Sequence, residues 1–291
     1  MEKVRIQKML ATAGVASRRA VEEMVRQGRI TVNGEVVNSL PCFVEPNDDI
    51  LVDGQPVRKR PPKGVYILLN KPRGVICTAK DEPGFSRPTA LDLIPPLAQR
   101  VYTVGRLDAE STGLVLLTND GELTNRLTHP RYGVTKTYVV RVDGKVEPEA
   151  LAALSRGVRI DGRRTSGVVA RVLTREHDRT LLEIELAEGP NREVRRVMAR
   201  LGHEIRRLHR RAIGPISDEG VKIGHWRPLT EREVQTLRKA TGMAGGEPGG
   251  KRPPRTTRAP KRTSTRAPKR PATQAPKPAR RDSRRRRGPQ K

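Results

Sequence analysis

The sequence of 291 residues predicts an α+β protein in three parts. Residues 1–60 form a small α+β unit, residues 64–243 form a larger unit on a mixed, mainly antiparallel sheet, and residues 244–291 form a disordered basic tail. Short runs rich in Val and Leu end at Gly and Asp turns, with helical segments inserted between them, which is typical of α+β domains. The last segment, 244–291, contains no Val, Ile, Leu, Phe, Tyr or Trp, so it cannot bury enough apolar surface to fold.

Charge and cysteine usage narrow the classes of partner and location. The formal net charge is +27 and the pI is about 11.2, which favours nucleic acid or an anionic membrane surface. No apolar run is long enough to span a bilayer and no signal-peptide core follows Met1, so the membrane alternative loses support. Cys42 and Cys77 lie far apart without ligand spacing. We therefore expect no disulfide framework, no zinc site and a reducing cytoplasmic location.

The first unit carries clear helix and turn signals. Ile6, Met9 and Leu10 recur at helical spacing, and Gly14 stands where that helix would end. Ser17 is the expected N-cap of a second helix. Short strands are then expected at 30–32, 36–37 and 50–52. The helical pair is rich in Arg and Lys, which could be a plain solvated face but here favours phosphate contact.

The larger unit alternates apolar runs with amphipathic stretches. Strands are expected at 65–70, 101–104, 114–117, 136–142, 168–172, 181–186 and 204–213. Helices are expected at 90–94, 122–128, 148–154, 193–201 and 231–240. Helices inserted between antiparallel strands are the reason for choosing the α+β class.

The turn between the strands at 101–104 and 114–117 carries the first candidate functional residue. Asp108 lies between two apolar runs, where a carboxylate is costly unless it is paired or used. The simplest interpretation is a turn residue that pairs with Arg106 or caps a local amide. The spacing gives no support to a triad of Asp108 with Ser111 and His129. The sequence also contains no glycine-rich phosphate loop, nucleophile elbow or His-Glu-x-x-His motif.

Two further stretches bear on this carboxylate. Tyr138, one of four tyrosines, stands on a predicted strand close to Lys136. Arg192, Arg195 and Arg196 cluster at the start of a predicted helix. Taken alone, the tyrosine would be interpreted as core packing and the arginines as phosphate contacts.

Three stretches of the first unit form a familiar pattern. They are Arg5-Ile6-Gln7-Lys8-Met9-Leu10, Ala13-Gly14-Val15-Ala16-Ser17-Arg18-Arg19 and Gln27-Gly28-Arg29-Ile30-Thr31-Val32-Asn33-Gly34. Together they resemble the alpha-L RNA-binding domain found in ribosomal proteins and some tRNA synthetases. The resemblance implies docking on structured RNA and says nothing about chemistry. The side chains expected to contact RNA are Arg5, Lys8, Arg18, Arg19 and Arg29.

A second resemblance runs from about residue 3 to 240. It rests on Gly105-Arg106-Leu107-Asp108, Ser111-Thr112-Gly113-Leu114, Lys136-Thr137-Tyr138 and Asn191-Arg192-Glu193-Val194-Arg195-Arg196, with support from Leu69-Asn70-Lys71-Pro72-Arg73-Gly74 and Gly224-His225-Trp226-Arg227-Pro228-Leu229. As a set these motifs resemble the RsuA/RluB family of rRNA pseudouridine synthases. Glu193 departs from the pattern, because family members usually carry Gln there. We expect this change to affect RNA contact more than the reaction.

The second resemblance implies an isomerase that converts a specific uridine, most simply one in large-subunit rRNA, to pseudouridine. It assigns the catalytic carboxylate to Asp108, its cationic partner to Arg195 and the ring that stacks on uracil to Tyr138. Further RNA contacts are implied at Arg106, Lys136, Asn191, Arg192 and Arg196. The resemblance implies no metal or other cofactor, rRNA as the partner and a monomer as the default state. The alternatives are a small-subunit rRNA or tRNA enzyme, and a non-catalytic RNA-binding ribosome-assembly factor.

Overall fold

The protein is described by a computed structural model over residues 3–58, 62–78, 86–187 and 192–243. The predicted α+β class is confirmed. The predicted tail and Asn191 lie outside the described residues. In chain order the elements are β1 (Val4–Arg5), α1 (Ile6–Thr12), α2 (Arg18–Arg26), β2 (Ile30–Val32), β3 (Glu35–Val36), β4 (Phe43–Val44), β5 (Ile50–Val52), β6 (Gln55–Pro56), β7 (Tyr66–Lys71), β8 (Tyr102–Val104), β9 (Thr112–Thr118), α3 (Gly121–Thr128), β10 (Lys136–Asp143), α4 (Pro148–Arg156), β11 (Arg159–Ile160), β12 (Arg163–Arg164), β13 (Val169–Arg175), β14 (Arg179–Leu186), α5 (Glu193–Arg200), β15 (Ile205–Ile213), β16 (Ile216–Ser217), β17 (Trp226–Pro228) and α6 (Glu231–Ala240).

The N-terminal module, residues 3–58, packs two short helices with a small sheet in the order β3-β2-β5-β6. Ser17 caps α2, because its Oγ accepts a hydrogen bond from the amide of Ala20 at 3.1 Å. Ile6 and Leu10 on α1 are fully buried in its core, as is Val21 on α2. The helices and the N-cap predicted for this stretch are therefore confirmed.

A second, larger sheet carries the rest of the described chain. Among the described residues it has nine strands, with the path β13-β14-β10-β15-β9-β7-β17, β16 added beside β15 and β8 beside β9. We call β13, β14, β10 and β15 the first half and β9, β7 and β17 the second half. Helices α4 and α5 pack on the first half around Val140, Leu182 and Ile184. Helices α3 and α6 pack on the second half around Leu68 and Leu114.

The two halves meet where β15 and β9 run parallel, whereas the other pairs along the path are antiparallel. This parallel ladder contains only the pairs His209 with Thr112 and Arg210 with Gly113 among the described residues, and we call these four residues the seam. Gly113 has φ +112, and a Cβ added to it would overlap the backbone of Arg210. Only glycine allows so close an approach in that conformation. Arg210 also donates from Nε to the Leu114 carbonyl at 2.6 Å.

The helix expected at 90–94 is wrong. The structure has successive turns there, in which Asp92 and Ile94 donate to carbonyls three residues earlier. The amide of Ala90 donates instead to the Ile76 carbonyl at 2.8 Å, and the amide and hydroxyl of Thr89 both donate to the Asp92 carboxylate. Side-chain and long-range acceptors therefore take the donors that would start a helix.

Several short strands were not predicted from the sequence, and β17 matters most among them. It pairs antiparallel with β7 and forms one edge of the large sheet. Three residues are too few for a period-2 pattern to be visible. Across the described ranges, no helix is both long enough and apolar enough to cross a membrane.

Candidate active site

Asp108 lies in the turn that connects β8 to β9. Gly105 follows β8 with φ +70, a conformation that glycine adopts without strain. The turn is closed by the amide of Ser111, which donates to the Asp108 carbonyl at 3.1 Å. The Asp108 side chain is 26% exposed, so the carboxylate is partly desolvated and faces α5.

Two arginines at the start of α5 approach this carboxylate. Nη1 of Arg192 lies 3.3 Å from Oδ2 of Asp108, and Nε of Arg195 lies 3.9 Å from the same oxygen. Glu110 lies 3.5 Å from Arg192 and 3.9 Å from Arg195. Two cations at the start of α5, which packs on the first half, therefore face two carboxylates from the loop that leads into the second half.

Arg195 is the more deeply placed of the two arginines, with its side chain 14% exposed. Nη2 donates to the Ser111 hydroxyl and Nη1 to the Ile205 carbonyl, both at 3.4 Å. Within the described residues its Nε is buried without a hydrogen-bond partner. Burial lowers the pKa of Arg195 from its ordinary value, an effect that the nearby Glu110 carboxylate opposes. Arg195 is thus a desolvated donor with its Nε directed toward Asp108.

Arg192 is placed by its backbone. It is the N-cap of α5 with φ +56 and ψ +26, in the left-handed region that non-glycine residues seldom adopt. Strained backbone of this kind is often found at functional sites. The next residue, Glu193, stands where the sequence pattern has Gln. Its side chain is 6% exposed, so this departure places a carboxylate in the interior.

A cavity of about 240 Å³ opens beside Asp108 and Arg192. Its lining combines Asp108 and Arg192 with the ring of Tyr138 and with Leu186 and Leu208. A lining that combines charged groups with an aromatic ring and aliphatic side chains suits a planar base, which can stack on the ring while a charged group acts on it. A larger groove of about 810 Å³ beside Trp226 contains none of the predicted site residues. We take the smaller cavity as the candidate site because desolvated charged groups converge there.

A row of cross-strand neighbours runs through the sheet from Tyr138 to Lys71. Tyr138 is opposite Arg210, Arg210 is opposite Gly113, and Gly113 is opposite Lys71. Partners in adjacent strands share a face, so both cations lie on the Tyr138 side of the sheet. Lys71 is fully buried and Arg210 is 5% exposed. Neither was predicted from the sequence to be a buried cation, although Lys71 ends β7 two residues after its apolar run.

Lys71 is stabilised by backbone oxygens. Its ammonium donates to the carbonyls of Pro72 at 2.9 Å and Val75 at 2.7 Å. Burial lowers its pKa to about 8, because the charged form is desolvated, while the Asp108 carboxylate opposes this shift and Arg210 adds to it. The amine is therefore a buried cation within the electrostatic reach of the candidate catalytic carboxylate.

The remaining predicted RNA contacts fall into two groups. Lys136 is partly buried, donates to the Val134 carbonyl at 2.7 Å, and has its pKa lowered to about 8 by burial. The others are exposed, although Arg29 pairs with Asp53 and Arg196 with Asp161. These exposed residues are Arg5, Lys8, Arg18, Arg19, Arg29, Arg106, Arg192 and Arg196.

Within the described residues, no group of three or more His, Cys, Asp or Glu side chains is arranged to hold a metal ion. Cys42 and Cys77 are free thiols. The groups that do converge can bind an anion, stack against a planar ring and present a carboxylate to an electrophilic carbon.

Comparison with known proteins agrees with this geometry. The family described as RNA pseudouridylate synthase matches residues 65–200, and the S4 domain matches residues 4–50. The ribosomal large subunit pseudouridine synthase B of Bacillus subtilis is 42% identical over 80% of this chain and 95% of its own length. An uncharacterized RNA pseudouridine synthase of Aquifex aeolicus is 43% identical over 84% of this chain and 97% of its own.

A solved structure points the same way. A crystal structure of a pseudouridylate synthase matches with a TM-score of 0.59 and 32% identity, covering 80% of this chain and 99% of that one. Together these findings confirm both resemblances drawn from the sequence. The chain therefore belongs to the RNA pseudouridylate synthase family, and it is an isomerase that acts on RNA.

Proposed function

We propose that this protein converts one uridine of large-subunit rRNA to pseudouridine. The observation that carries the proposal is the meeting of Asp108 and Tyr138 in one cavity, with Arg195 against the carboxylate. The choice of the large subunit is supported by the name of the Bacillus subtilis relative, which matches along nearly its whole length. The basic N-terminal module supports docking on a structured RNA.

The reaction is an isomerisation within one nucleotide. The bond from C1′ of the ribose to N1 of uracil breaks, the base rotates, and a bond from C1′ to C5 forms. The proton on C5 is then removed, and N1 ends with a proton. Because the overall change is neither a redox step nor a hydrolysis, the chemistry requires no metal or organic cofactor, and we infer that none takes part.

Each site residue has a role in this scheme. Asp108 acts at C1′ as nucleophile or as stabiliser of the developing positive charge. Arg195 orients that carboxylate and balances its negative charge from a partly desolvated position. Tyr138 stacks on the extruded uracil and takes part in the later removal of the C5 proton. Arg192 and Arg106 hold the flanking phosphates and offset the unstacking cost of about a few kcal/mol.

Pseudouridine mapping of rRNA from cells with and without the protein tests this proposal, combined with the variants Asp108→Asn and Asp143→Asn. Asp143 is a matched control because its carboxylate pairs with Arg206 at 2.6 Å on an exposed part of the sheet. We expect Asp108→Asn to bind rRNA normally and to lose the modification rate about a thousandfold, and the control to keep it.

Each other outcome selects a different conclusion. Pseudouridine formed by Asp108→Asn at the normal rate would show that the catalytic assignment is wrong. A modified site in small-subunit rRNA or tRNA would replace the substrate proposed here. Binding of rRNA by the intact protein without any modification would favour the ribosome-assembly factor.

We also propose the division of the chain into an RNA-binding module (1–60), a catalytic domain (64–243) and a basic tail (244–291), acting as a monomer in the cytoplasm. The tail has 17 Lys and Arg and two acidic residues, so it can tether RNA without sequence preference. Truncation after Gly242 should then weaken RNA binding most at low salt. Unchanged affinity at low salt would remove the tether from the proposal.

A further inference from the structure

The candidate active site is built from both halves of the large sheet. Asp108 precedes β9 in the second half, whereas Tyr138 on β10 and Arg195 on α5 belong to the first half. Strand pairing between the halves is limited, within the described residues, to the seam. The separation of Asp108 from Arg195 therefore depends on how the seam is held.

The seam is fastened on both faces of the sheet. Consecutive residues of a strand point to opposite faces, so His209 and Arg210 act on different sides. On one side Nε of Arg210 donates to the Leu114 carbonyl at 2.6 Å. On the other side the hydroxyl of Thr112 lies 2.9 Å from Nδ1 of His209. Nε2 of that ring lies 2.7 Å from the carboxylate of Asp218.

Asp218 is itself firmly placed. Its amide donates to the Arg211 carbonyl at 2.9 Å, and its carbonyl accepts from the amide of Val221 at 3.1 Å. A carboxylate only accepts hydrogen bonds, so Nε2 of His209 carries the hydrogen. A hydroxyl can donate or accept, so Thr112 can pair with Nδ1 whether or not that atom is protonated. The ring is thus held at both nitrogens.

We propose that His209, oriented by Asp218, is a positioning residue that sets the distance between Asp108 and Arg195 through Thr112. The residue before Thr112 is Ser111, which is 1% exposed. Its amide closes the Asp108 turn and its hydroxyl accepts from Arg195. A displacement of Thr112 therefore moves the Asp108 turn relative to α5.

The distance at stake is small. Nε of Arg195 lies 3.9 Å from the Asp108 carboxylate, just outside hydrogen-bond range, and it is buried without another partner among the described residues. A shift of less than 1 Å separates a charge-assisted hydrogen bond from a weaker contact. Misplacement of a reacting group by about 1 Å can lower an enzymatic rate about a hundredfold. This inference rests on the proposed function.

The test compares Thr112→Val with Thr118→Val. Both changes remove a hydroxyl from the same strand, but Thr118 lies at the other end of β9 and donates to the Val65 carbonyl at 2.6 Å. We expect Thr112→Val to lower the single-turnover rate at saturating protein about tenfold to a hundredfold, with the Kd for RNA within about twofold of wild type. Thr118→Val should lower stability and keep the rate. Thr112→Ser, which retains the hydroxyl, should restore the rate.

Hydrogen exchange adds a readout that does not need activity. The amides of 112–118 and 205–213 should exchange faster in Thr112→Val than in wild type, and faster than in Thr118→Val. Equal rate losses in the two valine variants, or unchanged exchange at the seam, would overturn the inference. Wild-type protein that modifies no RNA would end the proposed function, and exchange would then still decide whether Thr112 and His209 fasten the two halves.

Discussion

The N-terminal module and the domain built on the large sheet differ in how far their ion pairs are exposed to solvent. In the module, Arg29 donates two hydrogen bonds of 2.7 and 2.6 Å to the Asp53 carboxylate, and the two side chains are 42% and 49% exposed. In the sheet, Arg195 approaches Asp108 only to 3.9 Å, but the arginine is 14% exposed. Solvent screens the shorter pair, whereas burial of Arg195 reduces the screening of the longer one. Distance alone therefore does not rank these two ion pairs, because exposure sets how strongly solvent screens each of them.

The direction of the pKa shifts reflects the same contrast. The guanidinium of Arg29 lowers the pKa of Asp53 through a solvent-exposed hydrogen bond. Burial lowers the pKa of Arg195 and of Lys71, so these cations are held against their solvation preference. Both cations act on the cavity through its lining, because Arg195 contacts Asp108 and Ser111, and Lys71 lies within electrostatic reach of Asp108. The charges of the module are solvated, so each can be changed with little loss of folding stability.

The largest difference between the regions is expected for glycine substitutions. Gly113 and Gly34 both have positive φ, but a Cβ on Gly113 would overlap Arg210 whereas one on Gly34 meets open space. Gly113→Ala should lower the free energy of unfolding by about 3 kcal/mol or more. Gly34→Ala should lower it by about 1 kcal/mol. Urea unfolding of the two variants measures both values, and equal losses would mean that the seam relaxes easily.

The next effect concerns the two arginines compared above. Arg195→Met should lower the single-turnover rate about a hundredfold at saturating protein, because the Asp108 carboxylate loses a desolvated partner. Arg29→Met should leave that rate near wild type and weaken only RNA binding. Rate assays with a saturating protein concentration separate the two. A rate loss of similar size in both variants would show that the buried and the exposed arginine do not differ in their effect on the reaction.

A smaller effect is expected in the pH dependence of stability. The pKa of Lys71 is about 8 in the folded protein, below its ordinary value of about 10.4. The unfolded chain therefore binds this proton more tightly, and the destabilisation is full below pH 8 and fades as the pH rises to about 10.4. Structural relaxation and water penetration around the buried amine reduce the effect, so the stability of wild type relative to Lys71→Met should rise by about 1 to 2 kcal/mol over that interval.

Chemical unfolding of both proteins at pH 7, 8, 9 and 10 gives this difference, since groups common to the two proteins cancel. Parallel curves would mean that Lys71 titrates as a solvated amine. Lys71→Met also leaves the Pro72 and Val75 carbonyls without the ammonium donor, which lowers stability equally at every pH.

The smallest effect is expected for single charges of the module. Arg18→Ala and Arg19→Ala should each weaken rRNA binding roughly severalfold at low salt and reduce the slope of log Kd against log salt by about one. Arg26→Ala is the matched control on the same helix, because its guanidinium already pairs with Glu23 at 2.5 Å. Filter binding over a range of salt concentrations gives the slopes. A change in modification rate at saturating protein would assign the two arginines to the reaction instead.

Local signals explain which parts of the fold could be predicted. Ser17 marks the start of α2 and Pro148 the start of α4, because a cap or a fixed φ acts within one turn. The order of the large sheet could not be predicted, since it depends on pairing between distant segments such as β7 and β17. The burial of Lys71 and Arg210 could not be predicted either, because both residue types are normally exposed.

The site was accessible to sequence only in part. The motif match proposed Asp108, Tyr138 and Arg195 as a set, and the structure brings them together. Nothing in the spacing indicates that they meet across a seam of four residues, because a parallel contact between β9 and β15 joins segments nearly a hundred residues apart. The contact between Thr112 and His209 could not be predicted for the same reason.

The pairing of β7 with β17 has a consequence for folding during synthesis. In Asn70, the amide donates to the His225 carbonyl at 2.9 Å, the carbonyl accepts from Gly224 at 2.7 Å, and the side chain donates to Val221 at 2.8 Å. A nascent chain exposes β7 long before residues 221–228 leave the ribosome, and an unpaired apolar strand is prone to wrong partners. The strand that carries Lys71 is thus among the first of the large sheet to emerge and among the last to be fully hydrogen-bonded. Completion of the large sheet should therefore coincide with emergence of the segment around Trp226.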